Sequence, residues 1–337
     1  MKHLQRPNKT YPLLYLSVAG LLLLSAVTGL LLGATALTPA EIWDALMGKD
    51  SASAAARIFW NVRLPRVLAT LFCGAALAVS GAVLQGALAN RLASPSIIGV
   101  NAGAGLAVTL AAALGMLGGW RVALFAFFGA FLATLLISLG AKKWGLSRGT
   151  VILAGVALNS LLGALSDCVV TFSAQAGMIR NEFRVGDFSS VSFASLNPAT
   201  VAILLSLLLL FTLSNDLDVL SLGDENARGL GLHTERTRTV MLLLSAVLAG
   251  AAVSIAGQLS FVGLLIPHAL RRLGVTRSVH LLPLSALLGA GFVTLCDTLS
   301  RTLFSPYELP VGILLALVGT PFFLILLIRK KGGHRHD

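Results

Sequence analysis

With 337 residues, 56% of them hydrophobic and only 12% charged, the chain falls far below the roughly 25% charged fraction of a soluble domain and reads as an integral membrane protein. Its formal charge of +11 is scattered between apolar segments, with no basic stripe or tail, which argues against a nucleic-acid partner. Apolar runs long enough for a hydrocarbon core of roughly 30 Å recur along the whole length, so a single membrane domain over residues 1–337 accounts for the chain.

Ten candidate spans follow in chain order, with Gly and Pro allowed because membrane helices tolerate them. They lie near residues 13–36, 64–88, 95–115, 120–141, 150–172, 196–214, 237–255, 257–271, 280–302 and 311–328. Ala34-Thr35-Ala36 after the first resembles a cleavage site. The run from Leu13 to Leu32 exceeds the apolar core of about 7 to 15 residues in a signal peptide, so an uncleaved first span is predicted. The eighth segment is short for a spanning helix.

The expected fold is all-α and polytopic, in two inverted-repeat halves. Gly74-Ala-Ala-Leu-Ala-Val-Ser-Gly81 in the second span echoes Gly250-Ala-Ala-Val-Ser-Ile-Ala-Gly257 in the seventh. Copies five spans apart cross the membrane in opposite directions, as in transporters built from inverted repeats. Small residues on one helix face give the same pattern by packing alone.

Lys and Arg in short loops set orientation. With both termini cytoplasmic, most basic residues fall inside, among them Lys2, Arg6, Lys9, Arg148, Arg236, Arg271 and Arg335, leaving Lys49, Arg57, Arg63, Arg66, Arg121, Arg180, Arg184 and Arg301 outside.

No enzyme signature is present. Gly48-Lys49 lacks the upstream glycine of a phosphate-binding loop, no His-Glu-x-x-His pair exists, and Gly99-Val-Asn-Ala-Gly-Ala-Gly105 suits helix packing better than dinucleotide binding. Cys73, Cys168 and Cys296 are odd in number and lie in apolar runs, so they are read as packing thiols and no metal site is expected.

Ionisable residues inside spans are functional candidates by default. Asp297 and Arg301 stand one helical turn apart and can pair, either as a structural ion pair near the outer end or as a substrate contact. Asp167 has no evident partner. Arg63 and Arg66 flank Pro65 where the second span begins, forming either a cationic patch at the outer surface or interfacial anchors that snorkel to headgroups. On the inside, the loops Asn90 to Pro95, Ala141 to Gly149 and Ile266 to Gly274 each carry a helix breaker or terminator, consistent with tight re-entry into the bilayer.

The long polar insert, residues 215–238, reads as a cytoplasmic loop with a short helix: Asp224 and Glu225 at its start, Gly229 and Gly231 at its end, and Ala227, Leu230 and Leu232 as an apolar side. An exposed helix of this kind is a docking element in preference to a linker.

Seven motifs in order, over essentially the whole chain, resemble the FecCD-type permease subunit of ABC importers for iron-siderophores, haem and cobalamin. They are Arg63-Leu-Pro-Arg66, the run from Gly74 to Gly86, Asn90-x-Leu-Ala-x-Pro95 with Gly99, Leu153-Ala-Gly-Val-Ala-Leu158, Gly223 to Leu232, Gly257-x-x-x-Phe-Val-Gly-Leu-x-x-Pro-His268 and Glu308-Leu-Pro-x-Gly312.

The resemblance implies a ten-span permease in a bacterial inner membrane that dimerises with a second copy or homologue. Two ATP-binding subunits, which use ATP and Mg, lie below, and a substrate-binding protein docks above; this chain itself binds no cofactor and performs no covalent chemistry. It makes the segment from Asp224 to Leu232 the coupling helix, with Asp224, Glu225, Arg228, Gly229, Leu230 and Gly231 in contact with the ATPase. It assigns Arg63, Arg66 and Arg301 to binding-protein docking, and Asn90, Leu92, Ser147, Arg148 and Gly149 to the cytoplasmic gate. Two departures stand out: Phe183-Arg-Val-Gly-Asp-Phe188 places Arg184 and Asp187 near the outer mouth, and Asn90 is followed by Arg91 where the family has Pro. Iron-siderophore is the expected cargo, with haem, cobalamin or an oxyanion as alternatives. An ion-gradient-driven secondary transporter and a membrane scaffold are the readings from other classes.

Overall fold

A computed structural model describes residues 10–331 apart from 34, 36, 49–52, 117 and 306, with side chains from residue 11 to residue 324. Both termini, with Lys2, Arg6, Lys9 and Arg335, lie outside the described residues, as do Ala34, Ala36, Lys49 and the side chains of Arg329, Lys330 and Lys331. Every assigned element is helical: α1 (Thr10–Leu31), α2 (Pro39–Leu46), α3 (Ala54–Ile58), α4 (Leu64–Ala87), α5 (Val100–Ala113), α6 (Gly119–Lys143), α7 (Arg148–Phe172), α8 (Ala174–Val185), α9 (Phe193–Thr212), α10 (Ser214–Ser221), α11 (Asp224–Gly229), α12 (Thr234–Ala256), α13 (Val262–Arg272), α14 (Ser278–Thr302) and α15 (Val311–Lys331). Helices α1, α4, α6, α7, α9, α12 and α14 are long and apolar enough to cross a membrane. Helices α5, α13 and α15 fill the third, eighth and tenth expected places.

Two of those places hold a break where a continuous span is expected. The third helix starts at Val100, not 95, because Gly99 sits in the left-handed region at φ +90° and Leu88 to Gly99 runs as turns. The eighth starts at Val262, not 257: α12 stops at Gly257 (φ +70°), residues 258–260 are non-helical, and Phe261 is left-handed at φ +66°. Such backbone survives at membrane depth only where protein satisfies it. Here the Asn159 side-chain amide donates to the Ser96 and Ile97 carbonyls (2.8 and 3.2 Å), and the Gln258 backbone N–H donates to Phe183 O (2.8 Å).

Proline placement has a similar local cost. Pro65 has no N–H, and its ring would press on the carbonyl four residues earlier; a π turn over Phe59–Arg63 widens the helix there and runs α3 into α4. Pro65 therefore lies within a continuous helical path, not at the start of an isolated span.

Helix α4 is the buried centre and packs against α12, α13 and α14. Close approach is set by glycine: a Cβ on Gly74 would lie 2.3 Å from Gly289 O, and one on Gly81 only 1.9 Å from Gly263 O. The packing also follows the expected repeat. The second span (α4) meets the ninth (α14) at Gly74, and the seventh (α12) meets the fourth (α6) at Gly250, whose Cβ would lie 3.2 Å from that of Ala130.

Gly81→Ala is expected to destabilise by at least the 1–3 kcal/mol of an overpacked core, because backbone atoms cannot yield as a side chain can. Gly20→Ala, with nothing within 4 Å, should leave the melting temperature of the detergent-solubilised protein unchanged. Equal melting temperatures for the two variants would refute this packing.

Apolar side chains cover the outer helices: Leu16 and Leu23 on α1, Leu153 and Leu161 on α7, and Leu205 and Leu208 on α9 are all exposed. In water this would be a liability; in lipid it is the expected outer surface.

Candidate functional sites at the two membrane faces

The polar insert folds as two helices. Helix α10 was not expected as a separate element. It brings Asp218 to the start of α14, where its carboxylate accepts from the Ser278 backbone N–H (2.9 Å) and hydroxyl (2.6 Å), satisfying a donor that a helix start leaves open. Helix α11 then covers Asp224–Gly229 and ends earlier than the expected Leu232, because Gly231 is left-handed (φ +84°) and the Leu232 N–H turns back to Ala227 O (3.0 Å).

The expected apolar side of this segment does not form. Ala227 is fully buried, Leu230 is 66% exposed, and Leu232 lies between. What faces outward is Glu225, Arg228, Gly229, Leu230 and Gly231, with exposed Leu222 beside them.

Asp224 points the other way. It accepts from Arg148 of α7 (2.5 Å) and from Arg238 of α12, while Arg148 also donates to Leu220 O at the end of α10 (2.9 Å). Burial disfavours its charged form, but the hydrogen bonds and charge of the two guanidiniums outweigh this and hold the carboxyl below the usual carboxylate range. One carboxylate thus ties the exposed helix to the N-terminal ends of two membrane helices.

The gate residues divide. Arg148 joins the Asp224 tie, and Ser147 caps α7 by accepting from the Thr150 N–H (3.2 Å), with Gly149 exposed beside it. Asn90 forms its own turn, accepting from the Leu92 N–H (2.8 Å), with Leu92 exposed. Among the described residues, no hydrogen bond or ion pair links the two turns.

At the opposite face, the expected exposed cationic patch is absent. Arg63, Arg66 and Arg301 are buried, each 3–4% exposed. Arg63 donates to Leu30 O and Leu31 O (both 2.6 Å) and to Thr35 O, closing the open carbonyl end of α1. Arg66 turns inward to Asp297 (3.0 Å) and Glu308 (2.8 Å), with Asp187 at 3.7 Å. Arg301 pairs with Asp297 one turn away (3.1 Å), as its spacing predicts, and donates to Gly29 O (3.1 Å).

Sequence spacing finds the Asp297–Arg301 pair but not its third member, because Arg66 is 231 residues from Asp297. The cluster binds α1, α4, α14 and the α14–α15 connection into one unit. Its outward side is acidic: Asp187 and Glu308 are about a third exposed. Elsewhere, Asp167 has a partner after all, Arg180 of the unforeseen helix α8, at 2.5 Å. Cys73 and Cys296 are buried as expected, whereas Cys168 is exposed.

Helices packed glycine on glycine across the bilayer, two broken at membrane depth, with an anchored polar helix at one face, define a polytopic membrane permease. The match is specific: residues 21–329 fit the FecCD transport family, and the chain belongs to that family. It is 35% identical over 337 residues to the iron(3+)-hydroxamate import system permease protein of Bacillus subtilis, covering 98% of this chain and 88% of that protein. It is 36% identical to the hemin transport system permease protein of Yersinia pestis, covering 92% and 94%. Among solved structures, a metal-chelate type ABC transporter in an inward-facing conformation superposes with a TM-score of 0.85 at 32% identity, covering 95% of this chain and all of that one.

Proposed function

We propose that this chain is the permease subunit of an ATP-driven importer that carries a metal chelate, iron-siderophore foremost, across a bacterial inner membrane by alternating access. The observation that carries the reading is the exposed helix α11 tied through Asp224 to α7 and α12. A partner that pushes on Glu225, Arg228 and Leu230 acts directly on membrane helices. Family membership supports separate ATP-binding subunits as that partner, a substrate-binding protein at the opposite face, and a second permease copy or homologue completing the pathway. Both termini lie on the cytoplasmic side in this reading.

Arg63, Arg66 and Arg301 then serve docking indirectly, as the buried frame beneath the surface that receives the binding protein. The charges that protein meets are those of Asp187 and Glu308.

Proteoliposomes holding the permease with its ATPase, and the binding protein loaded with a ferric siderophore, test this. Uptake should require ATP and the binding protein together. Uptake by the permease alone, driven by an ion gradient, would establish a secondary transporter instead. Leu230→Asp should abolish ATP-dependent uptake by blocking assembly with the ATPase, seen as loss of co-purification.

A further inference from the structure

Resting on the importer reading above, the geometry points to a cargo class: an anionic, carboxylate-bearing metal chelate. The observation is a cavity of about 290 Å³ bounded by α5, α7, α8 and the break after α12, into which Arg180, Arg184, Asn101, Asn159, Ser166 and Gln258 are directed. Arg180 and Arg184 stand one turn apart on α8 and so share a face. The intervening Glu182 lines a different cavity together with Asp187, so the helix separates its charges by side.

This cavity lies where a pathway is expected on physical grounds. It meets the beginning of α5 at Asn101 and the non-helical stretch before α13 at Gln258, whose amide donates to Asn101 O (3.2 Å). Broken helices at membrane depth are tolerated where they line a cavity, and such breaks place polar groups around a transported solute. Helix α7 supplies Asn159, Gly163 and Ser166 at helical spacing, a polar and small-residue strip on a helix whose other faces show leucine.

The charge balance decides the sign of the solute. Arg180 is paired with Asp167, which is itself 69% exposed, while Arg184 is exposed and has no ion pair among the described residues. Two guanidiniums against one carboxylate leave the wall cationic. A guanidinium fork matches a carboxylate with two parallel hydrogen bonds, and the Asn and Gln amides add donors for further oxygens. A cationic chelate would meet repulsion here.

The test uses the complete permease–ATPase complex in nanodiscs without binding protein, so that selection upstream is removed. Retention of ferric citrate, ferrioxamine B (a cationic hydroxamate chelate) and molybdate is measured by equilibrium dialysis. Ferric citrate should bind about tenfold more tightly than ferrioxamine B, and Arg184→Gln combined with Arg180→Gln should erase the difference. Because Arg184 is exposed, Arg184→Gln alone, expected to remove about threefold, is a variant whose folding is not at stake. Asp167→Asn should act in the opposite sense and tighten ferric citrate about threefold by releasing Arg180.

Equal retention of the two chelates, or a preference that survives the double substitution, would overturn the proposal. Molybdate binding as tightly as ferric citrate would overturn the chelate assignment in favour of an inorganic oxyanion. ATP hydrolysis by the same complex reads the importer assignment separately. An ATPase-active complex without charge preference sinks only the cargo class, and an inactive complex that still selects ferric citrate sinks only the importer.

Discussion

Asp297→Asn is expected to lower the stability of the permease by about 3–5 kcal/mol, the usual cost of removing one member of a buried ion cluster. Asp297 is wholly buried, and its two oxygens are shared between Arg66 and Arg301. An amide of the same shape keeps the volume but leaves buried Arg301 without its carboxylate, while Arg66 retains Glu308 and Asp187 on its outward side. The penalty is dominated by uncompensated charge, not by lost contact.

Glu308→Gln should cost much less, since that carboxylate is a third exposed and water can replace it. Thermal unfolding of the two variants in detergent, followed by tryptophan fluorescence, separates them. Equal, small shifts would show that the cluster does not hold α1, α4 and α14 together.

That cluster also marks the boundary of what sequence can disclose. Apolar length places the seven long helices, because crossing a bilayer imposes a length requirement that any reader of the chain can count, whereas α5 and α13, with 14 and 11 residues, fall short of it. The Asp297–Arg301 pair is visible because a helix puts residues four apart on one face. Arg66 joining it is not visible, because the contact spans most of the chain. Nor is the burial of Arg63, since its acceptors are main-chain carbonyls and carry no residue signature.

The breaks show the same division. Gly99 and Gly257 are residues that suit a break, yet apolar length alone runs spans through or from them, and Phe261 at positive φ contradicts its residue type, so that only the surrounding packing holds it there. Helix α8 has an apolar side and a Ser173 cap, but it is short, polar on average and separated from α7 by a single residue, so the span count passes over it. Asp224 is legible as an acid at a helix start, yet its inward aim toward Arg148 and Arg238 is a property of three elements meeting.

That inward aim makes Asp224→Ala the sharpest functional variant. It leaves Glu225, Arg228 and Leu230, the outward surface of α11, in place, but removes the acceptor that joins the helix to α7 and α12. In the importer reading, the ATPase should still assemble and hydrolyse ATP, while uptake per ATP falls by roughly 5- to 150-fold, the range of typical coupling free energies. Arg148→Ala should act in the same direction but less strongly, because Asp224 keeps Arg238, and adding it to Asp224→Ala should change little, because the arm to α7 is already cut.

The pH dependence of the tie has a defined sign. A carboxyl whose folded pKa is lowered contributes fully above its unfolded value, near 3.9, and loses that contribution only as pH falls through the lower folded value. Coupling should therefore be level across neutral pH, and any loss there must come from another group. Parallel loss of hydrolysis and uptake in Asp224→Ala, together with loss of ATPase co-purification, would mean that Asp224 merely keeps α11 folded. Hydrolysis that persists while uptake collapses would identify the carboxylate as the point where force enters the membrane helices.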